Sequence, residues 1–225
     1  MPNADCDQPM LDSIERSLDY GPISPEQEFD SKMARPREFD EQQVVQRALD
    51  LFWHKGYNAA SLNELLAATE LSKSSFYESF GNKRELVVEA LRCYGRALME
   101  GPIGALAKPD AGRAEIERTL KAVAAVALTQ EGQRGCFVNN CMTEIAPHDP
   151  VVLAAAQAVV QQLENALAAA VKRGQDDGTI SRAERPRALA RFLVNTLSGI
   201  NLAAKSKPTK AALDDIVRVA LRTLD

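Results

Sequence analysis

The sequence predicts an all-α protein, and three observations carry that reading. From Asp40 onward apolar residues recur at helical spacing, strand-like alternation is missing, and Gly and Pro fall mainly between the periodic segments. Two domains are expected after an acidic flexible tail (1–33): an N-terminal three-helix helix-turn-helix unit (34–85) and a larger C-terminal helical domain (86–225).

The elements follow in chain order. Asp40 is the N-cap candidate of a first helix that carries Val44, Val45, Ala48, Leu49, Leu51 and Phe52 and stops at Gly56. Ser61 opens a second, with Glu64 three residues on, the spacing of a reciprocal capping box. Its body is Leu62, Leu65 and Leu66, and it ends by Thr69 or Glu70. Ser72 caps a short third helix, and Asn82 with Glu85 repeats the box for a fourth that reaches Gly101-Pro102. Longer helices are expected over 113–130, 136–145, 150–174, 185–205 and 209–224, with starts at Asp149-Pro150 and Thr209 and stops or loops at Gly132, Gly135, Gly174 and Gly178.

The formal net charge of −4 hides an asymmetry: eight acids and one base make residues 1–30 −7, leaving +3 for the rest. Residues 31–92 carry nine basic and nine acidic groups, so charge alone does not announce a polyanionic partner. Cys6, Cys93, Cys136 and Cys141 lack metal-ligand spacing, and only His54 and His148 stand beside them, so no metal and no cofactor are expected. The first 30 residues are acidic where a secretory leader is basic and then apolar, and no long uncharged apolar run occurs. The expectation is a soluble cytoplasmic protein with no membrane contact and reduced thiols.

The stretch LSKSSFYESFGNKRELV, residues 71–87, is short and polar for a core element. In a helix-turn-helix the second helix probes a major groove, so one face must be slim and polar while the other locks inward. Leu71, Phe76 and Phe80 face inward at helical spacing, leaving Lys73, Ser74, Ser75, Tyr77 and Glu78 outward behind the cap Ser72. Hydroxyls and an ammonium suit phosphate oxygens, and Lys73 or Ser74 also suits a base edge. Asn82 and Lys83 add backbone amides and a positive charge at the next helix start. Lys32, Arg35 and Arg37 form a basic arm suited to phosphates or a minor groove. On pattern alone the alternative is a helical bundle with a serine-rich surface.

The run ALDLFWHKGYNAASLNELLAATELSKSSFYESFGNKREL resembles the N-terminal DNA-binding domain of TetR/AcrR-type transcriptional regulators, with Gly56-Tyr57, the Ser61 start, Phe76-Tyr77, Phe80 and Lys83 to Leu86 in place. The remaining helices have the count and lengths of that family's ligand-binding and dimerisation domain, so the resemblance spans about residues 36–224. It implies a homodimer on double-stranded palindromic operator DNA, repression of a nearby promoter and release on binding an effector. It also implies phosphate contacts from Ser61, Tyr77 and Lys83, with Lys73, Ser74 and Ser75 at or near bases. Two positions depart from the pattern. Glu70 stands at a turn position where the family often has Gly, and Glu78 replaces a frequent His; a carboxylate there must accept from a cytosine amino group or pair with a base such as Arg84.

In the second domain, RGCFVNNCMTEIAP (134–147) places Cys136 at a helix start two residues after Arg134, where unpaired amides favour thiolate. The alternative is that Cys136 and Cys141 are small buried hydrophobes. GCFVNNCMTEIA together with GINLAAKS (199–206) is similar to the electrophile- and oxidant-sensing branch of the family, the N-ethylmaleimide- and hypochlorite-responsive repressors. That similarity implies joint action of Cys136 and Lys205; on residues alone Lys205 also reads as a favourable helix end. Cys141 lies about 140° around the helix from Cys136 and is a poor intrahelical partner, leaving a cross-subunit pairing as its redox role. Asn139, Asn140, Asn195 and Asn201 either orient a reversible small ligand or cap turns and bridge a dimer. Apolar stripes over 185–205 and 209–224, including Leu189, Phe192, Leu193, Leu197, Ile200, Ile216, Val219, Ala220 and Leu224, read as a four-helix dimer interface or as intrachain core. A small thiol enzyme is the competing function, although neither histidine has a base-and-orienter constellation.

Overall fold

Asp40 caps the first helix as its position requires: its carboxylate accepts from Gln42 N at 2.9 Å. Helix α1 (Glu41–Lys55) then buries Val44, Val45, Ala48, Leu49 and Phe52 on one stripe. The computed structural model describes residues 39–101 and 103–225; the acidic segment 1–33, Arg35 and Arg37 lie outside the described residues. Among those described, nine α-helices and two short 3-10 turns are present and no strand.

Helix α2 (Leu62–Thr69) has the complete capping box its sequence spells. Ser61 Oγ accepts from Glu64 N at 3.3 Å, and Ser61 N donates to Glu64 Oε2 at 2.9 Å. Lys55 also pairs with Glu64, and this bond, with those from Ser61, holds the carboxyl down at about 2. The turn to helix α3 (Lys73–Phe80) passes through Glu70 in the left-handed region, φ 58°, where a side chain costs about 1–2 kcal/mol.

Helix α4 (Lys83–Glu100) corrects one expectation. Asn82 Oδ1 accepts from Glu85 N at 3.0 Å, but the return bond is not made. The Asn82 N–H is spent on Phe80 O at 2.7 Å, and the Glu85 carboxylate lies over Gly81 instead.

The rest is α5 (Arg113–Ala127), α6 (Phe137–Glu144), α7 (Pro150–Asp176), α8 (Pro186–Ala204) and α9 (Lys210–Arg222). Helix α5 stops earlier than 130 because Thr129 turns its hydroxyl and its N–H back onto Val126 O, at 2.8 and 2.9 Å.

Two apolar cores position everything else. One joins α1–α4 to α6 and the first half of α7 through Leu65, Phe76, Leu86, Leu91, Phe137 and Val152. The other joins α5, the second half of α7, α8 and α9 through Ile116, Leu120, Leu167, Leu193 and Leu213. The stripes of α8 and α9 divide: Leu189, Leu193, Leu197, Ile200, Ala220 and Leu224 are core, while Phe192, Leu202, Ile216 and Val219 are 44%, 68%, 38% and 52% exposed. No helix among the described residues is long and apolar enough to cross a membrane.

Phe76 is fully buried beneath α3. Phe76→Ala is expected to cost about 3–5 kcal/mol of stability in urea or guanidinium titration, because the floor of the probe helix would become a cavity. A loss under about 1 kcal/mol would contradict that packing.

Candidate nucleic-acid interface and sensing cleft

The outer face of α3 carries Lys73, Ser74, Tyr77 and Glu78, all exposed, above the buried pair Phe76 and Phe80. Tyr77 is held upright by an edge-on contact to Phe76, ring centroids 5.4 Å apart. Ser72 caps the helix by accepting from Ser75 N at 3.1 Å, and its hydroxyl is 2.9 Å from those of both Ser74 and Ser75. The helix start is therefore a knot of three hydroxyls beside free N-terminal amides, a local arrangement suited to anion oxygens. Ser75 is half-buried under it.

Lys83 and Ser61 flank this face, each with a contact inside the chain. The Lys83 ammonium stands over the Tyr57 ring, 4.4 Å from its centroid, and partial burial lowers its pKa from the ordinary lysine value. Ser61 is exposed, but its hydroxyl already donates to Glu64 at 2.8 Å. Arg84 does not pair with Glu78; its guanidinium lies 3.9 Å from Asp149.

The second site lies where the loop before α6 meets the end of α8. A cleft of about 380 Å³ is lined by residues that include Cys136, Asn139, Asn140, Asn195, Asn201 and Lys205, so two segments far apart in sequence come together. Gly135 makes this approach possible. Its φ is 70°, and a Cβ there would stand 2.8 Å from Lys205 Cε and 3.1 Å from Asn201 O. Cys136 is the N-cap of α6 and half-buried. The Tyr94 hydroxyl donates toward its sulfur at 3.6 Å, and burial, with Cys136 beside it, raises the Tyr94 pKa and keeps that proton in place.

The amides are partly committed. Asn140 Nδ2 donates to Arg134 O at 3.0 Å, Asn201 Nδ2 donates to Leu197 O at 2.9 Å, and Ser198 Oγ is 3.5 Å from Asn139 Oδ1. Cys141 is not brought to the cleft. It is 3% exposed in the first core, and burial pushes its thiol up to about 12. A redox pairing through Cys141 is therefore disfavoured on burial alone.

A larger groove of about 640 Å³ between α5 and α9 has no link to Cys136. Four of its cations are already paired, Arg113 with Asp225, Lys121 with Glu117, Lys210 with Asp214 and Arg218 with Asp215. Among the described residues no cluster of three potential metal ligands occurs.

Sequence reasoning missed Tyr57 beneath Lys83, Tyr94 against Cys136, and Glu144. Each acts across dozens of residues, so no local spacing carries the signal.

Comparison with known proteins gives two family matches, "Bacterial regulatory proteins, tetR family" over residues 44–90 and "Tetracyclin repressor-like, C-terminal domain" over 112–220. The HTH-type transcriptional repressor DhaR of Mycobacterium sp. is 27% identical over 81% of this chain and 91% of its own. The uncharacterized HTH-type transcriptional regulator YezE of Bacillus subtilis is 28% identical over 86% and 100%. Among solved structures, a cysteine mutant of the TetR family transcriptional regulator CifR, complexed with 26-bp double-strand operator DNA, is 30% identical. It superposes with a TM-score of 0.74 over 85% of this chain and 100% of that one.

Cys141, which is buried, and Tyr94, which is half-buried, set a pH dependence. Both have folded pKa values above their ordinary 9.0 and 10.0, so above about pH 9 the unfolded chain sheds protons that the folded chain keeps. The denaturation midpoint is expected to be flat from about pH 7 to 8 and to fall steadily from about pH 9 upward. A midpoint that rises above pH 9 would contradict the burial of both groups.

Proposed function

Because this chain belongs to the TetR family of bacterial regulatory proteins, we propose that it is a transcriptional repressor that binds palindromic operator DNA as a homodimer and leaves it when an effector acts at the Cys136 cleft. It works in the cytoplasm without catalysis. The observation that carries the reading is the polar ridge of Lys73, Ser74 and Tyr77 standing exposed on a buried aromatic floor. Phosphates take Tyr77, Lys83 and the amides at the starts of α3 and α4, and Lys73 and Ser74 face the bases with Ser75 behind them. The arm residues Arg35 and Arg37 add phosphate or minor-groove contacts. CifR, with its operator complex, and DhaR, a named repressor, support extending DNA binding and repression to this chain.

The second copy docks through α8 and α9, whose exposed Phe192, Leu202, Ile216 and Val219 have no partner within the second core. Two probe helices must meet half-sites roughly 34 Å apart, or a multiple of that, so any change in their separation weakens binding.

At the cleft, an electrophilic alkene such as a maleimide adds to Cys136: the S–C bond forms as the C=C π bond breaks, and the thiol proton ends on the adjacent carbon. A peroxide or hypochlorous acid instead oxidises the thiol by two electrons to sulfenic acid, being itself reduced to water or to chloride, and the sulfenic acid condenses with the Lys205 amine to an S–N bond with release of water. A second reading is favoured by the amide lining: a small organic acid binds reversibly, with Asn139, Asn140 and Asn201 orienting its carboxylate.

Cys136→Ser is expected to keep operator affinity and to abolish release by a maleimide or hypochlorite in a gel-shift titration. Normal release of the variant would refute the thiol switch and leave the reversible-ligand reading. Tyr77→Phe combined with Lys83→Ala is expected to weaken binding by about 10-fold or more on every duplex tested and to reduce the salt dependence. Loss confined to one base pair would contradict the phosphate assignment.

A further inference from the structure

Glu144, the last residue of α6, sends its carboxylate out of the second domain and into the loop between α1 and α2. Oε2 accepts from Tyr57 N at 3.1 Å and Oε1 from Asn58 N at 2.7 Å, so each oxygen takes one backbone N–H of the same turn. Gly56, φ 89°, lets the turn come this close: a Cβ there would stand 3.3 Å from both carboxylate oxygens. Among the described residues the turn amides have no other acceptor, and charged hydrogen bonds of this kind are the strong ones.

The other end of α6 is tied to the same helix. Trp53 Nε1 on α1 donates to Gly135 O at 3.0 Å, and the Arg134 guanidinium stacks on the Trp53 ring at 4.3 Å. Phe137 packs beside the Trp53–Tyr94 pair, 6.3 Å from Trp53 and 5.8 Å from Tyr94, ring to ring. So α6, only eight residues long, is pinned to the end of α1 at both of its termini. One pin adjoins Cys136. The other adjoins Tyr57, whose ring carries Lys83.

We propose that Glu144 is a positioning residue for operator recognition: it touches no DNA, and its two-pronged bond to the α1–α2 turn fixes the angle at which each reading head leaves the body of the dimer. This rests on the reading of the chain as a dimeric operator-binding protein. The physical consequence concerns bivalency. A dimer gains on a full palindrome over a half-site because binding of the first head presents the second at high effective concentration, and that gain depends on rigid presentation. A head freed from Glu144 still binds a half-site, since the face of α3 stands on its own Phe76 and Phe80, and the apolar core they share with α6 does not depend on the Glu144 carboxylate.

The test uses the full-length protein and two duplexes: the tightest binder recovered by in vitro selection from a random 30-bp library, and the same duplex with one half scrambled. The wild type is expected to prefer the full site strongly. Glu144→Ala, which removes both acceptors, and Glu144→Gln, which keeps the size but turns one acceptor into a donor, are expected to bind the scrambled duplex within about twofold of wild type. On the full site both are expected to lose about tenfold or more. The fluorescence of Trp53, the sole tryptophan, is expected to be retained in both variants, reporting that α6 is still packed. If both variants keep the wild-type preference for the full site, or lose affinity equally on both duplexes, Glu144 is no positioning residue. If the wild type itself does not distinguish the two duplexes, it is the dimeric operator reading that fails.

Discussion

The packing of α6 into the core of the reading head is the constraint on which the rest depends. Phe137 and Val138 are buried with Leu65, Phe76, Leu86 and Leu91, so the helix that begins at Cys136 shares an interior with the helix-turn-helix. Protein interiors are close-packed and respond to change by shifting as units, not by local yielding. A chemical event at the start of α6 therefore has no cushion between it and α1. In many two-domain chains an interface is thin and polar enough for the parts to rotate freely. Here the apolar contact is continuous, and polar bonds at Trp53 and Glu144 fix its register.

The same constraint explains why α3 can be so polar. A helix of eight residues is below the length at which it would hold by itself in water. Its stability comes from Phe76 and Phe80 below and from the Ser72 cap, which leaves the upper face free of any folding duty. Lys73 need satisfy only water or a ligand, and Ser74 and Tyr77 make only local contacts, to Ser72 and Phe76. The left-handed Glu70 is a local cost of the tight turn that sets this geometry, partly offset by its pairing with Arg47 at 2.8 Å on the surface.

What was legible in the sequence was whatever local chemistry decides. The all-helical class, the starts of α1, α2, α3, α7 and α9 and the inward residues of α3 follow from caps and periodicity, and each stands in the structure as spelled. Two identical-looking signals show where that logic ends. Ser61 with Glu64 closes a full box, whereas Asn82 with Glu85 closes half of one, because a tight turn at Phe80 claims the Asn82 N–H first. The stripes of α8 and α9 were ambiguous for a similar reason. A 3.6-residue period reports which residues are apolar, and which side of the helix meets its own chain is settled by α5 and α7.

The cysteines carry the same lesson into chemistry. Cys136 and Cys141 sit five residues apart in one apolar run, and nothing in that run separates a half-exposed thiol from a buried one. Their surroundings do. Cys141 points into the core, where ionisation is penalised by lost hydration and by the nearby Glu144 carboxylate. Cys136 stands at the helix start, beside a tyrosine hydroxyl and in a cleft it shares with Lys205. The difference arises because Gly135 admits the end of α8 to the foot of α6, a contact across about 70 residues that only the folded chain can make. In the proposed function the choice of sensing thiol is thus made by tertiary packing, and the same packing that exposes Cys136 to a reagent ties its neighbour Gly135 to Trp53 on the reading head.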